Sequence, residues 1–236
     1  MRPRPRPSNA TAGAPPTPAL RGAIFDLDGV LADTAELHYR SWTLIAGELG
    51  LPFDRRVNDR MRGLSRPESL AILLGKQADR FSDQRKLELT ERKNEAYLRL
   101  VAEMTPADLY PGVLDLVRGL RQSGVRVAVA SSSRNAQRVV ERLGLAPLLD
   151  ALVDANTAPR SKPDPQVFLA AADALGIPPG RCVVIEDGEA GVEAALSAGM
   201  RVVGIGPPQR VGRAHLVVDR IGDLDVAAVL TLFDVR

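Results

Sequence analysis

The sequence predicts an α/β protein, a doubly wound parallel sheet interrupted near its start by an all-helical insertion. Three observations carry this. From Tyr110 onward, short apolar runs alternate with helical segments, the pattern of strands buried on both faces. Between residues 34 and 108 every segment carries helix signals and none carries strand signals. Several predicted strands end in polar residues, which is where open parallel sheets bind ligands.

The elements follow in order. Residues 1–20 are rich in Pro, Arg and small residues and cannot bury enough apolar surface to order themselves, so a disordered tail is expected. Ala23-Ile24-Phe25 reads as a buried strand. Thr34 to Leu49 reads as a helix, capped by Asp33 or Thr34 and ended by Gly50. Ser65-Arg66-Pro67-Glu68 has the form of a capping box with proline in the first turn, opening a helix through about Leu74. A longer helix starts at Ser82 and reaches about Glu103. Then come helix from Val113 to Gln122, strand from Val125 to Ala130, helix from Asn135 to Leu143 and strand from Leu148 to Val153. Helix from Pro165 to Leu175, strand from Cys182 to Ile185, helix from Glu189 to Ala198 and strands at Val202–Ile205 and Leu216–Val218 complete the chain. The expected division is a core of residues 21–33 and 109–236 around a helical cap of residues 34–108.

Composition narrows the function. The 236-residue chain is 45% hydrophobic, ample for a core. Its formal net charge of +2 leaves no nucleic-acid footprint. No apolar run approaches the roughly 20 residues of a membrane helix, and no secretory leader is evident. The single cysteine, Cys182, excludes an intrachain disulfide and suits a reducing compartment, so a cytoplasmic setting is expected.

The chemistry concentrates at the strand ends. In Asp26-Leu27-Asp28-Gly29 the two acids leave an extended strand on one side, and Gly29 permits a sharp turn. Paired carboxylates repel unless a proton or metal lies between them, and an oxygen-only compact site suits magnesium. One acid can serve as nucleophile, the other as general acid/base. Later strand ends carry Ser131-Ser132-Ser133 and Glu186-Asp187, and a loop carries Ser161-Lys162-Pro163. Each has a plainer reading: Ser131 as a turn cap, Lys162 as a solvated loop lysine, Glu186-Asp187 as caps of the following helix.

Acidic pair, hydroxyl, lysine, acidic pair, in that order, resembles the haloacid dehalogenase-like phosphotransferase superfamily, with its Rossmann-like core. The resemblance implies that Asp26 attacks phosphorus and that Asp28 is the general acid/base. It further implies that Ser131 and Lys162 hold the phosphoryl group. Mg²⁺ would be bound by Asp26, the Asp28 carbonyl and Asp187, with Glu186 close by.

Within that superfamily, the run from Asp26 through Thr34 and His38 to Trp42 resembles the beta-phosphoglucomutases. So do Arg62-Gly63-Leu64-Ser65-Arg66 with Ser69, Arg92-Lys93-Asn94, and Ser131-Ser132-Ser133-Arg134-Asn135. That branch interconverts beta-glucose 1-phosphate and glucose 6-phosphate through the 1,6-bisphosphate. The likeness implies sugar-phosphate substrates, a monomer, and a second phosphate site built from Arg66, Ser133, Arg134 and Asn135, with Gly63 and Ser65 in the same cap loop. His38 would gate Asp28, Thr34 would orient it, and Ser69 and Lys93 would touch the sugar. His38 also shares an apolar helix face with Trp42, Ile45 and Leu49, so simple packing is its alternative. Ser65 can be only an N-cap, and Arg66 and Lys93 can be solvated. Gly188, Arg62 and Arg134 depart from the family pattern. The competing activity is sugar-phosphate hydrolysis by the same nucleophile, and a non-enzymatic binding protein is a third reading.

Overall fold

A computed structural model describes residues 20–233. The expected tail lies outside them except for Leu20, which packs into the main core. Strand β1 (Gly22–Phe25) leads into α1 (Thr34–Leu49), α2 (Arg55–Asp59), α3 (Arg66–Leu74) and α4 (Asp83–Ala102). Alternation then begins: α5 (Val113–Gln122), β2 (Arg126–Ala130), α6 (Ala136–Arg142), β3 (Ala151–Val153), α7 (Gln166–Leu175) and β4 (Cys182–Glu186). It closes with α8 (Glu189–Ser197), β5 (Arg201–Ile205), α9 (Pro208–Val211), β6 (Leu216–Val218) and α10 (Val226–Thr231).

The six strands lie in the order β3-β2-β1-β4-β5-β6, and every pair is parallel. The chain winds outward from β1 to β3, then returns to the other side of β1 with β4. The winding therefore reverses beside β1, and its register with β4, Phe25 opposite Ile185, brings Asp26 next to Glu186 there. Reversal points of this kind open a crevice at the carboxyl ends of the strands.

Alternate residues of each strand enter opposite layers. Phe25, Val127, Val129, Val183 and Ile185 pack with α5 and α6. Ile24, Ala128, Cys182, Val184 and Val202 pack with α7 and α8. Burial on both faces accounts for the continuous apolar runs, and each fully buried large side chain contributes about 1.5–3 kcal/mol. The insertion has its own core of Trp42, Ile45, Met61, Leu70, Leu73 and Leu89. Gly50 ends α1 in the left-handed region at φ 63°, and Ser65 and Glu68 form the expected capping box on α3.

The structure adds detail at several points. Asp33 caps α1 by accepting from the Glu36 amide, so Thr34 is free for another partner. Strand β3 begins only at Ala151, because Ala146–Leu148 form a 3₁₀ turn carrying Pro147. The Asp150 carboxylate then takes the Val127 amide, a ladder donor. Helices α2, α9 and α10 carry no expectation from sequence. They are short, and such segments lack a readable period.

Candidate active site

The floor of the candidate site is built where β1 and β4 end. The Asp26 amide donates to the Ile185 carbonyl at 2.9 Å, which fixes the acid at the strand end. The Lys162 ammonium donates to Asp26 Oδ1 at 2.5 Å and to Glu186 Oε1 at 2.8 Å. Lys162 is 1% exposed, so it is no solvated loop lysine. Burial opposes its charge, but Asp26 and Glu186 outweigh that and hold the ammonium above its ordinary value. The other Glu186 oxygen accepts the Gly188 amide, so Glu186, expected beside the metal, has both oxygens engaged. It lies so close to α8 that a Cβ at Gly191 would stand 1.7 Å from Glu186 Oε1. Helix α8 is capped at Gly188 without a side-chain hydrogen bond, so Asp187 is not spent on capping.

Asp28 stands beside this floor. The Thr34 hydroxyl donates to Asp28 Oδ1 at 2.5 Å, and His38 Nε2 is 3.5 Å from the same oxygen. Burial pushes the Asp28 carboxyl up, but His38 and Thr34 outweigh it and hold the group at about 2. The Lys93 ammonium lies 2.6 Å from His38 Nδ1. With lysine as donor, Nδ1 accepts and Nε2 carries its proton toward Asp28. Burial first, then the Lys93 charge, pushes His38 below its ordinary value. Lys93 is 1% exposed, between the rings of Tyr97 and Trp42 at 4.7 and 5.3 Å. Burial and then Arg66 bring it down to about 7. His38 thus packs, stacked on Tyr97 at 4.2 Å between ring centres, and also faces the acid.

A cavity of 530 Å³ extends from Asp26, Asp28 and Asp187 to the insertion, a volume in the range of small-molecule sites. Its walls include His38, Gly63, Ser65, Arg66, Ser69, Lys93, Ser133, Arg134 and Asn135, so the structure gathers these expected residues around one space. Ser131, Thr34, Lys162 and Glu186 lie beneath the surface as its supports. Ser131 is fully buried and its hydroxyl accepts the Ser133 amide, a turn contact that leaves its own O–H available as a donor. The Ser65 amide and hydroxyl both donate to Glu68, committing it to the capping box. Asn135 donates to Asn94 across the gap between α4 and the core at 2.7 Å. Among the described residues, neither Arg66 nor Arg134 forms an ion pair. Burial and then the charge of Arg134 push Arg66 below its ordinary value.

The contacts of two further side chains, Ser132 and Arg62, are not announced by sequence. The Ser132 hydroxyl is buried without a partner on the cavity wall, and the triple-serine run offered no signal to choose among its members. Arg62 Nη1 reaches Asp187 Oδ2 at 2.5 Å, a contact between residues far apart in sequence that no local pattern announces.

The donor chemistry fits magnesium. Asp26 is pushed well up, first by burial and then by Glu186, Asp28 and Asp187 against Lys162. Asp187 is raised to about 7 by burial and Glu186. A buried excess of negative charge on oxygen donors is what a divalent cation relieves. Among the described residues no group of three or more His, Cys, Asp or Glu side chains is arranged for a metal. Magnesium does not require one, because it usually retains several waters and takes one or two carboxylates.

Comparisons agree with this geometry. The chain is 44% identical over 207 residues to the beta-phosphoglucomutase of Bacillus subtilis (strain 168), covering 87% of this chain and 92% of that one. It is 31% identical over 200 residues to a phosphorylated carbohydrates phosphatase of Thermotoga maritima, covering 84% and 90%. Its structure matches a crystal structure of beta-phosphoglucomutase from Clostridium difficile with a TM-score of 0.88 at 35% identity, covering 91% and 97%. Residues 20–199 match the haloacid dehalogenase-like hydrolases. Motif order, sheet order and sequence thus coincide, and the chain belongs to the haloacid dehalogenase-like hydrolase family.

Proposed function

We propose that this protein is a magnesium-dependent beta-phosphoglucomutase, acting as a cytoplasmic monomer on beta-D-glucose 1-phosphate and D-glucose 6-phosphate. Residues 34–108 serve as its cap. The observation that carries the reading is the pair of un-ion-paired guanidiniums, Arg66 and Arg134, on the cavity that also holds Asp26. A hydrolase needs one phosphate site, whereas a mutase working through a bisphosphate needs two. Arginine forks match phosphate oxygens.

An Asp26 oxygen bonds to phosphorus of the bisphosphate and the phosphorus–oxygen bond to the sugar breaks. Asp28 donates the proton that the departing sugar oxygen takes up. The product monophosphate leaves, and the free hydroxyl of an entering substrate monophosphate attacks the aspartyl phosphate as the Asp26–phosphorus bond breaks. Asp28 takes that hydroxyl's proton, and the bisphosphate so formed turns to present its other phosphoryl group to Asp26. Asp28 rests deprotonated, which suits the second half. The anionic phosphoryl group beside it favours protonation for the first. Lys162 and the Ser132 hydroxyl face the transferred oxygens, and Ser131 shapes the turn that presents them. His38 and Thr34 orient Asp28, while Ser69 and Lys93 stand along the sugar. When bound by Asp26, Asp187 and the Asp28 carbonyl, Mg²⁺ supplies charge neutralisation. The insertion excludes water, which would otherwise hydrolyse the aspartyl phosphate.

The test is product analysis with beta-glucose 1-phosphate, Mg²⁺ and a trace of 1,6-bisphosphate, alongside the alpha anomer. Glucose 6-phosphate from the beta anomer without matching phosphate release is expected. Stoichiometric release of inorganic phosphate would overturn the mutase in favour of the hydrolysis catalysed by the Thermotoga maritima relative.

A further inference from the structure

The insertion places a cation against a carboxylate of the floor. Arg62 follows α2 in the loop before Gly63, and its Nε also donates to Asp59 Oδ1 at 3.1 Å. Its Nη1 is 2.5 Å from Asp187 Oδ2, and the two side chains are 22% and 6% exposed. The approach depends on Gly29, at φ +83°, where a Cβ would lie 2.3 Å from Asp187 Oδ2 and 2.9 Å from Arg62 Nη1. A bare position is thus required both for the turn after the paired acids and for this contact. The pair joins insertion to core at the carboxylate proposed as a metal ligand. A second cavity of 480 Å³ adjoins it, lined by Gly29, Asp33, Arg62, Tyr110, Asp187 and Arg210 among others. The guanidinium therefore has open volume beside it.

We propose that Arg62 gates the metal site: with no ion bound it neutralises Asp187 and clasps the insertion to the core, and a divalent cation must displace it. This rests on the metal assignment made above. A guanidinium and a dication on one buried carboxylate repel strongly, and the surrounding low dielectric amplifies the effect. Whatever factor Arg62 takes from metal affinity, the metal takes from the clasp, because coupling between two binding events is reciprocal. The open volume beside Arg62 lets it withdraw without repacking either core.

Mn²⁺ serves as the probe, its free concentration followed by electron paramagnetic resonance with the full chain at low ionic strength. Arg62→Ala and Arg62→Gln are each expected to bind Mn²⁺ about tenfold more tightly than the parent, with the gap narrowing in salt. Arg62→Gln keeps a donor for Asp59, so it carries the test if the alanine variant does not fold. Hydrogen exchange is the second readout. Mg²⁺ is expected to speed exchange of the amides of residues 59–64 in the parent and to leave them unchanged in Arg62→Gln. Equal Mn²⁺ affinities in all three proteins overturn the gate and leave the metal assignment standing. Absence of Mn²⁺ binding in all three overturns both.

Discussion

The two ends of the main cavity are built on opposite electrostatic plans. At the floor, Asp26, Glu186 and Lys162 bond one another, and Asp28 is held by Thr34 with His38 alongside. At the far wall, Arg66 and Arg134 share a surface with, among the described residues, no carboxylate bonded to either, and burial and then Arg134 push Arg66 below its ordinary value. The floor is assembled before any substrate arrives, so its groups need not reorganise during reaction. On the proposed reading the wall would be completed by a phosphate, so one end would serve chemistry and the other selection, and each could be damaged without the other.

Asp26→Asn is the most severe test. It removes the proposed nucleophile while nearly preserving shape, and turnover is expected to fall at least about a thousandfold in both mutase and phosphatase assays. Next comes Arg66→Ala. Loss of a charge-assisted contact is expected to lower kcat/KM with the bisphosphate by about a hundredfold. Hydrolysis of a small monophosphate should change by less than about threefold, since that substrate reaches only the floor. Equal losses on both substrates would erase the contrast between the two ends.

Lys93 sharpens the comparison through pH. Its folded value, about 7, lies below the ordinary 10.5, so between these values the unfolded chain binds the extra proton. Stability contributed by this residue therefore rises with pH from about 7 toward 10 and is lost as pH falls back through that window. Urea unfolding at pH 7, 8 and 9 should show the rise in the parent and a flatter profile in Lys93→Met. The smallest expected effect is Gly188→Ser. Its φ of −119° suits any residue, and a Cβ there meets Glu186 Oε2 at an ordinary 3.4 Å. The melting temperature should move by less than about 2 °C.

The sheet, the insertion and the acids at the strand ends were legible because each has a local signature. Buried parallel strands are continuous apolar runs such as Cys182-Val183-Val184-Ile185, and helix limits are marked by Ser65 with Glu68 or by Gly50. The paired acids of Asp26 and Asp28 follow from strand geometry alone. Contacts across the cavity were not legible in this way. The Arg62 to Asp187 pair, the Lys93 to His38 bond and the orphaned Ser132 hydroxyl arise only when the insertion meets the core. A charged residue on a helix looks solvated in sequence whether or not a partner descends on it, and burial of Lys93 between two rings is a tertiary fact. Similarly, Ser131 and Ser132 are chemically identical in sequence and differ only in which hydroxyl accepts a turn amide.

The insertion is joined to the core by two stretches of chain, and these are stitched together. Ala32 bridges to Leu109, the Tyr110 amide donates to the Leu31 carbonyl at 2.9 Å, and Arg142 of α6 holds the carbonyls of Ala102, the last residue of α4, and of Met104 just beyond it. Two strands pinned side by side act as one hinge pin. An insertion that moves as one unit swings about that narrow line, so angular play at the pin is what would move Arg66 relative to Asp26.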